Sequence, residues 1–276
     1  MVITVLVGTL YAPVFIGLVH DWYKDPDYSH GPFVPLLSGY ILYRKRGKLA
    51  AAPAHPTWLG LIVILGSLGL LFLGNLAAEY FISRISLLGT IVGIILYVRG
   101  GKQLQSLAFP LAFLLLMIPL PTIVYDQIIF PMQLVTSRLV TGTLENVQLF
   151  PIMREGNLLI TGRYSVEVVQ ACSGVRSLMT LLALALGYGY LMEGRPAIRI
   201  MLACSVFPLA IFGNALRVCS QVMLAYYLGA SVTEGLWHSL LGLIGFSSAA
   251  GLLPVVHEIL RRGIHTKRGL RLGVSI

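Results

Sequence analysis

Long apolar runs with almost no charged residue inside them recur along the whole chain. Of its 276 residues, 57% are hydrophobic and 11% are charged, whereas a soluble domain carries about 25% charged residues. A soluble core could not bury so much apolar surface. The composition also excludes a disordered tail, a small disulfide-stapled protein and a coiled coil, which need polar, Cys-rich or heptad sequences. We therefore predict an integral membrane protein.

The number of apolar runs sets the predicted architecture, because one transmembrane helix takes about 20 apolar residues. Eight candidate spans lie at residues 1–20, 32–43, 57–76, 85–98, 104–124, 173–192, 199–222 and 238–260. We expect an all-α polytopic membrane protein with about eight transmembrane helices, forming a single membrane domain over residues 1–276.

Basic and acidic residues segregate to alternate loops. With the N-terminus in the cytoplasm, 13 of the 20 Lys and Arg residues fall inside and 9 of the 11 Asp and Glu residues fall outside. This is the pattern of the positive-inside rule, and it predicts that both termini are cytoplasmic. The net charge of +9 therefore reflects membrane orientation, and no nucleic-acid binding is expected. The first run lacks the basic start of a signal peptide and is predicted to be a retained helix.

The segment from about Tyr125 to Ala171 is the one long stretch that is not mainly apolar. In residues 127–150, apolar residues recur at helical spacing with polar residues between them, as in an interfacial amphipathic helix. Residues 154–157 are expected to form a turn, and the next residues, to 170, favour two short strands. We predict a small extracytoplasmic loop and β-hairpin directly before the sixth helix.

Two arginines lie inside predicted spans, where an arginine costs about 2.5 to 3.5 kcal/mol. Arg217 lies near the outer end of the seventh run, with Asn214 three residues earlier on the same helix face. Arg176 lies one turn inside the sixth run, four residues after Cys172. Snorkelling to the outer headgroups would explain Arg176 more readily than Arg217, so Arg217 is expected to have a polar partner.

Cys172, Arg217 and His238 all reach the outer membrane face in this topology. A thiol, a guanidinium and an imidazole are the parts of a cysteine nucleophile site: His can take the thiol proton, positive charge favours the thiolate, and Arg can stabilise an oxyanion. We predict these three residues to be catalytic, with Arg176 and Asn214 in support. The Cys172 sulfur is expected within about 3 to 6 Å of a His238 ring nitrogen.

Other site chemistries have weaker support in the sequence. A zinc site built from Cys172, His238 and His30 lacks HExxH or paired-Cys spacing, so no metal or other cofactor is expected. Ser173 as the nucleophile lacks the GxSxG context of a hydrolase elbow. The remaining cysteines are expected to be inert packing residues: Cys204 and Cys219.

Several short motifs resemble those of the exosortase/archaeosortase family over nearly the whole chain. They are ACSGVR at 171–176, NALR at 214–217 and HSLLG at 238–242, with DYSHGPFVP at 27–35 near the N-terminus. The order and spacing of these motifs fit the family. The residue before ACSG is Gln170, where the family often has Glu, so a hydrogen-bonding side chain is kept without its charge.

The resemblance implies a multi-pass cysteine transpeptidase-like enzyme that recognises the C-terminal sorting tail of exported proteins. Such a tail comprises a short Pro-Glu-Pro-type motif, a transmembrane helix and a basic end. By motif, the family's proposed catalytic Cys, Arg and His correspond to Cys172, Arg217 and His238, and His30 and Ser173 lie in the matching segments as supporting residues.

The predicted function is therefore a cysteine protease or transpeptidase at the extracytoplasmic face of the plasma (inner) membrane of a prokaryote, acting through a thioester on Cys172. Its expected partners are exported proteins with the sorting tail, membrane lipid, and a polysaccharide or lipid acceptor. The alternative is a non-catalytic membrane subunit for polysaccharide or lipid export that binds an anionic headgroup through Arg176 and Arg217. A rhomboid-like serine protease is less favoured, because no GxSxG motif precedes a helix.

Overall fold

A computed structural model describes residues 2–148, 150–161, 165–168, 174–229 and 235–272, most of them in helices. By its internal contacts the chain divides into two compact units, Met1–Pro121 and Thr122–Ile276, and each is described by itself. The first unit contains six α-helices among its described residues: α1 (Val2–Leu10), α2 (Ala12–Lys24), α3 (Phe33–Ala51), α4 (Leu59–Leu76), α5 (Tyr80–Val98) and α6 (Gly101–Phe113).

Polar contacts between distant parts of the chain fix the helices of the first unit. The Tyr11 hydroxyl lies 2.7 Å from Thr90 Oγ1, and Trp22 Nε1 donates to a main-chain carbonyl near the end of the unit at 2.9 Å. An ion pair between a buried arginine and a partly exposed aspartate joins α2 to α5. In it, Arg84 Nη2 donates to Asp21 Oδ2 at 2.6 Å. Such contacts hold the helices together in a membrane, where apolar surface gives no preference for protein over lipid.

The described residues of the second unit form four helices and a small sheet. Its helices are α7 (Thr122–Val147), α8 (Val175–Met192), α9 (Pro196–Leu228) and α10 (Gly235–Leu272), and its strands are β1 (Ile152–Glu155), β2 (Leu158–Thr161) and β3 (Ser165–Glu167). The strands pair antiparallel in the order β1-β2-β3.

The sheet lies in the segment for which the sequence predicts two strands. Strands β2 and β3 pair there, with Leu159 opposite Val166. The expected turn at 154–157 is wrong in its first half, because residues 154 and 155 belong to β1 and only Gly156 and Asn157 form the turn. One face of the sheet packs on α7 and α9 in a single hydrophobic core, whose buried residues are Val140, Leu144, Phe150, Ile152, Leu159, Val168, Val218 and Val222.

Helix α7 buries and exposes both polar and apolar residues. Its buried polar residues are Gln133, Thr136, Ser137 and Thr141, and they lie among buried apolar residues: Tyr125, Ile129, Met132, Val140 and Leu144. Its exposed residues include large apolar side chains such as Phe130 and Leu139 as well as charged ones such as Asp126, Arg138 and Glu145. The buried polar groups need hydrogen-bond partners, within the helix or on neighbouring elements, and the interfacial position of this helix stays a prediction.

The described helices account for several of the predicted spans. Five are long and apolar enough to cross a membrane, or six if Gly101–Met117 and Thr122–Val147 form one broken span. The predicted first span is divided at Tyr11 into helices of 9 and 13 residues. The second corresponds to α3, whose C-terminal half carries a basic cluster. The chain is thus a polytopic, mostly helical membrane protein, and the count of eight and the orientation stay predictions.

Helix α10 carries two histidines that have polar partners, one at its start and one in its second half. His238 lies at its start, and 19 residues later the His257 Nδ1 atom is 3.0 Å from the Tyr188 hydroxyl, with its Nε2 atom 3.4 Å from a Glu193 carboxylate oxygen. A helix rises about 28 Å over that length, close to the hydrocarbon thickness of about 30 Å. The apolar length between the two polar ends therefore suits one complete crossing.

Helices α9 and α10 approach each other closely where both carry glycine. A Cβ added to Gly213 would lie 2.5 Å from the Gly245 carbonyl oxygen, and a Cβ added to Gly245 would lie 2.5 Å from the Gly213 carbonyl oxygen. Only a residue without a side chain fits at either position. Small residues that let helix backbones touch are typical of membrane helix packing.

We expect Gly245→Ala to destabilise the protein, because the added methyl group overlaps backbone that cannot move without separating α9 from α10. Overpacking of this kind costs about 1 to 3 kcal/mol. In detergent, this should lower the thermal midpoint by roughly 3 to 10 °C, measured by the loss of the monodisperse size-exclusion peak on heating. The matched control is Gly251→Ala on the same helix, where an added Cβ meets nothing within 4 Å. Equal midpoints for the two variants would contradict this interpretation of the helix contact.

Candidate active site

Arg217 and His238 are in direct contact between helices α9 and α10. Arg217 Nη2 donates to His238 Nε2 at 2.6 Å, and both residues are partly buried. Two of the three residues predicted to be catalytic are therefore in contact, and their catalytic role stays a prediction. The contact also offsets the cost of placing a guanidinium in an apolar helix.

Gly242 lies beside the Arg217 guanidinium. A Cβ added there would contact Arg217 Cζ at 3.4 Å and Nε at 3.5 Å. Gly242 follows His238 by four residues, which puts both on one face of the helix. The HSLLG motif therefore brings two residues against the arginine: the histidine, which contacts its Nη2 atom, and the glycine, which lies next to its guanidinium.

Asn214 connects this pair to the start of α8. Its Nδ2 atom donates to Thr136 Oγ1 of α7 at 3.1 Å, and both side chains are buried. Gly174 directly precedes α8 with a φ of +82°, and a Cβ there would lie 3.0 Å from Asn214 Cβ and Cγ. Because a left-handed φ and close packing both favour glycine, Gly174 brings the start of α8 against the helix that carries Arg217.

Gln221 and Thr136 contact the site but were not predicted from the sequence. The Gln221 side-chain amide lies 2.9 Å from His238 Nδ1, and Gln221 is 2% exposed. A signal for Gln221 was present, because it follows Arg217 by four residues on the same helix face. Thr136 gave no such signal, since it comes from a distant helix that the sequence suggested was interfacial.

The other predicted residues of this region differ in how they are placed. Cys172 and Ser173 lie outside the described residues, so the expected distance from Cys172 to His238 stays a prediction. Arg176 is exposed on the first turn of α8. The other two cysteines have no contact with the Arg217–His238 pair among the described hydrogen bonds: Cys204 is exposed, and Cys219 packs against the hydrophobic core of the sheet.

His30 belongs to the first unit, between α2 and α3. It is 5% exposed, and its Nε2 atom is 3.1 Å from the Leu116 carbonyl oxygen, to which it donates. Burial lowers the pKa of His30 from its ordinary value of 6.5. Within the described part of the chain, no three His, Cys, Asp or Glu side chains are grouped as metal ligands.

The arrangement around His238 combines a fixed positive charge with a histidine that can exchange protons. A guanidinium beside a reacting carbonyl can donate to the oxyanion that forms there, and fixed donors of this kind are among the largest catalytic contributions known. An imidazole nitrogen with a free lone pair can accept a proton and later return it. Both groups are held by packed helices, so little reorganisation is needed when charge develops.

A comparison with protein-family models shows to which family the sequence belongs. The model described as transmembrane exosortase (Exosortase_EpsH) matches residues 22–255, most of the chain. The chain belongs to the transmembrane exosortase family. The match covers the segments around Gly174, Arg217 and His238, so the resemblance seen in the short motifs is confirmed. No curated protein and no solved structure is significantly similar to this exosortase.

We expect Gly242→Leu to impair activity, whereas Gly242→Ala should process the tail nearly normally. A Cβ at this position would make an ordinary contact with the Arg217 guanidinium, at 3.4 to 3.6 Å, but the further carbons of leucine would compete with the guanidinium for space. Misplacement of a catalytic group by an ångström can cost about a hundredfold in rate, measured as processing of a reporter with a C-terminal sorting tail. Wild-type processing by Gly242→Leu would show that the position of the arginine is not critical, and Gly251→Leu is the matched control.

Acidification should destabilise the protein in part through His30. Since its pKa is lowered in the folded state, the unfolded chain takes up this proton first as the pH falls below about 6.5, and folding stability decreases there. We expect His30→Gln to reduce the fall in thermal midpoint between pH 7.5 and pH 5.5. His20→Gln, at an exposed position on α2, is the matched control. An unchanged pH dependence in His30→Gln would contradict the prediction.

Proposed function

We propose that this exosortase is a cysteine protease or transpeptidase that cleaves the C-terminal sorting tail of exported proteins, with Cys172 as nucleophile, His238 as its proton acceptor and Arg217 as the oxyanion donor. Membership of the exosortase family supports the class of reaction. The observation that carries the assignment of residues is the direct contact between Arg217 and His238.

Covalent geometry supports Cys172 as the nucleophile. Cys172 precedes Gly174 by two residues, and two trans peptide units span at most about 7 Å between Cα atoms. Gly174 packs against Asn214, which lies one helical turn from Arg217. The thiol is therefore tethered to the helix start that touches the site. Positive charge from Arg217 would favour its thiolate.

The proposed reaction exchanges one acyl bond for another. The Cys172 sulfur attacks the carbonyl carbon of the scissile peptide, and Arg217 donates to the oxyanion of the tetrahedral intermediate. The C–N bond then breaks, His238 returns the proton to the leaving amine, and a thioester remains on Cys172. An acceptor nucleophile, either water or a polysaccharide or lipid anchor, resolves the thioester and restores the thiol.

The nature of the substrate suggests a route to the site from the lipid. A tail that contains a transmembrane helix cannot leave the hydrocarbon at low cost, so we infer that it enters sideways between helix ends. The positive-inside charge pattern supports an extracytoplasmic position for His238 and Gly174. The segment between α7 and α8 would then cover the site on that side.

Cys172→Ala should abolish tail processing, because no neighbouring group can replace the nucleophile. Arg217→Lys should lower the rate by about a hundredfold or more, since Lys keeps the charge but loses the planar fork of donors. Processing is measured on a reporter with the sorting tail in cells, with membrane abundance checked by immunoblot. The matched controls Cys204→Ala and Cys219→Ala should process the tail normally.

Full activity of Cys172→Ala at normal abundance would overturn the enzymatic proposal. It would favour the alternative, a non-catalytic export subunit that binds an anionic headgroup through Arg176 and Arg217. That alternative needs no thiol and predicts that Arg176→Ala and Arg217→Ala fail together.

A further inference from the structure

Both ring nitrogens of His238 are contacted by side chains of α9. Arg217 Nη2 lies 2.6 Å from Nε2, and the Gln221 amide, with its Nε2 atom placed toward the ring, lies 2.9 Å from Nδ1. A guanidinium has five N–H donors and no acceptor. At this distance, His238 Nε2 must therefore present its lone pair to Arg217 and carry no proton.

The state of Nε2 determines the state of Nδ1. A neutral imidazole carries one proton, so a ring that accepts at Nε2 carries its proton on Nδ1 and donates from there. Gln221 must then accept this hydrogen bond through Oε1. The amide does so after half a turn about its last bond, which exchanges its oxygen and nitrogen within the same volume.

We propose that Gln221 is a positioning residue that accepts a hydrogen bond from His238 Nδ1–H and thereby keeps Nε2 available as the proton-accepting atom. This inference rests on the proposed function, in which His238 serves Cys172. Gln221 would have the role of the third group that orients the base in nucleophile–base pairs.

The same hydrogen bond can persist through the reaction. When Arg217 donates to the oxyanion instead of to Nε2, Nε2 takes the proton of the Cys172 thiol as the C–S bond forms. The ring then carries a proton on each nitrogen, and Nδ1–H still donates to Gln221. When the C–N bond breaks, the Nε2 proton passes to the leaving amine, and the ring returns to its first state.

The surroundings of Gln221 keep its amide in place. Its neighbours Val218 and Val222 are fully buried in the core formed by α7, α9 and the sheet, so the backbone of this helix turn is fixed. A buried amide in apolar surroundings is costly unless it is hydrogen-bonded. A leucine or methionine of similar size would be the simpler choice for packing alone.

The tautomer of His238 can be measured directly. We would record nitrogen NMR spectra of histidine-labelled protein in detergent and identify the His238 signals by their loss in His238→Gln. The wild type and Gln221→Glu, which both offer an acceptor, should show a proton on Nδ1 and none on Nε2. Gln221→Met leaves Nδ1–H without an acceptor, so the signal of this proton should move upfield or be lost by exchange with water, even though Arg217 keeps the proton off Nε2. A wild-type ring protonated on Nε2, or a Gln221→Met spectrum identical to the wild type, would overturn the inference.

Activity supplies the second readout. Gln221→Met should lower kcat for the tail reporter by about 10- to 100-fold, the usual cost of losing a supporting hydrogen bond, with KM changed by less than about threefold. Gln221→Glu should recover most of the rate. The matched control is Gln127→Met, at an exposed position on α7, and folded abundance is checked by size exclusion.

The two proposals fail in different ways. If Cys172→Ala still processes the tail, the proposed function fails, and the NMR measurement still tests the contact with Gln221. If Cys172→Ala is inactive but Gln221→Met processes the tail like the wild type, or Gln221→Glu is as impaired as Gln221→Met, the role of Gln221 as an acceptor is wrong and the proposed function stands.

Discussion

The structure of the second unit depends on keeping one guanidinium hydrogen-bonded inside an apolar helix. An arginine in a membrane span costs about 2.5 to 3.5 kcal/mol, and Arg217 meets that cost through its contact with His238. The contact requires α9 and α10 to come close, which the facing glycines Gly213 and Gly245 allow. The helix packing and the candidate site are therefore parts of one arrangement.

Three of the family's short motifs correspond to separate steps in building this arrangement. Gly174 of ACSGVR brings the start of α8 against Asn214. Asn214 of NALR connects α9 to Thr136 of α7. Gly242 of HSLLG lies beside the Arg217 guanidinium. In each motif, a glycine or an amide lies at a contact next to a residue that we propose to be catalytic.

The small sheet and α7 also help to hold α9 in position. α7 buries several hydroxyl and amide side chains among its apolar ones, and such groups need partners on neighbouring elements. The Ser137 hydroxyl donates to the Gly156 carbonyl oxygen at 3.0 Å, so α7 holds the turn of the sheet. The sheet in turn packs against the stretch of α9 that carries Arg217 and Gln221.

The sequence alone determined the polytopic helical class and the family. These follow from composition and from motif order, neither of which needs knowledge of contacts. The two strands after residue 157 also followed from local alternation. The break at Tyr11 did not, because neighbouring helices decide whether an apolar run continues as one helix.

Only the tertiary structure decided which side of α7 faces inward and which residues complete the site. Polar and apolar residues of α7 occur on both its buried and its exposed sides, so their spacing did not show which polar groups the neighbouring elements would bury. Thr136 reaches Asn214 across 78 residues of chain, so no local pattern could connect them. Gln221 lay on the predicted face of α9, but its contact with His238 required the close approach of two backbones.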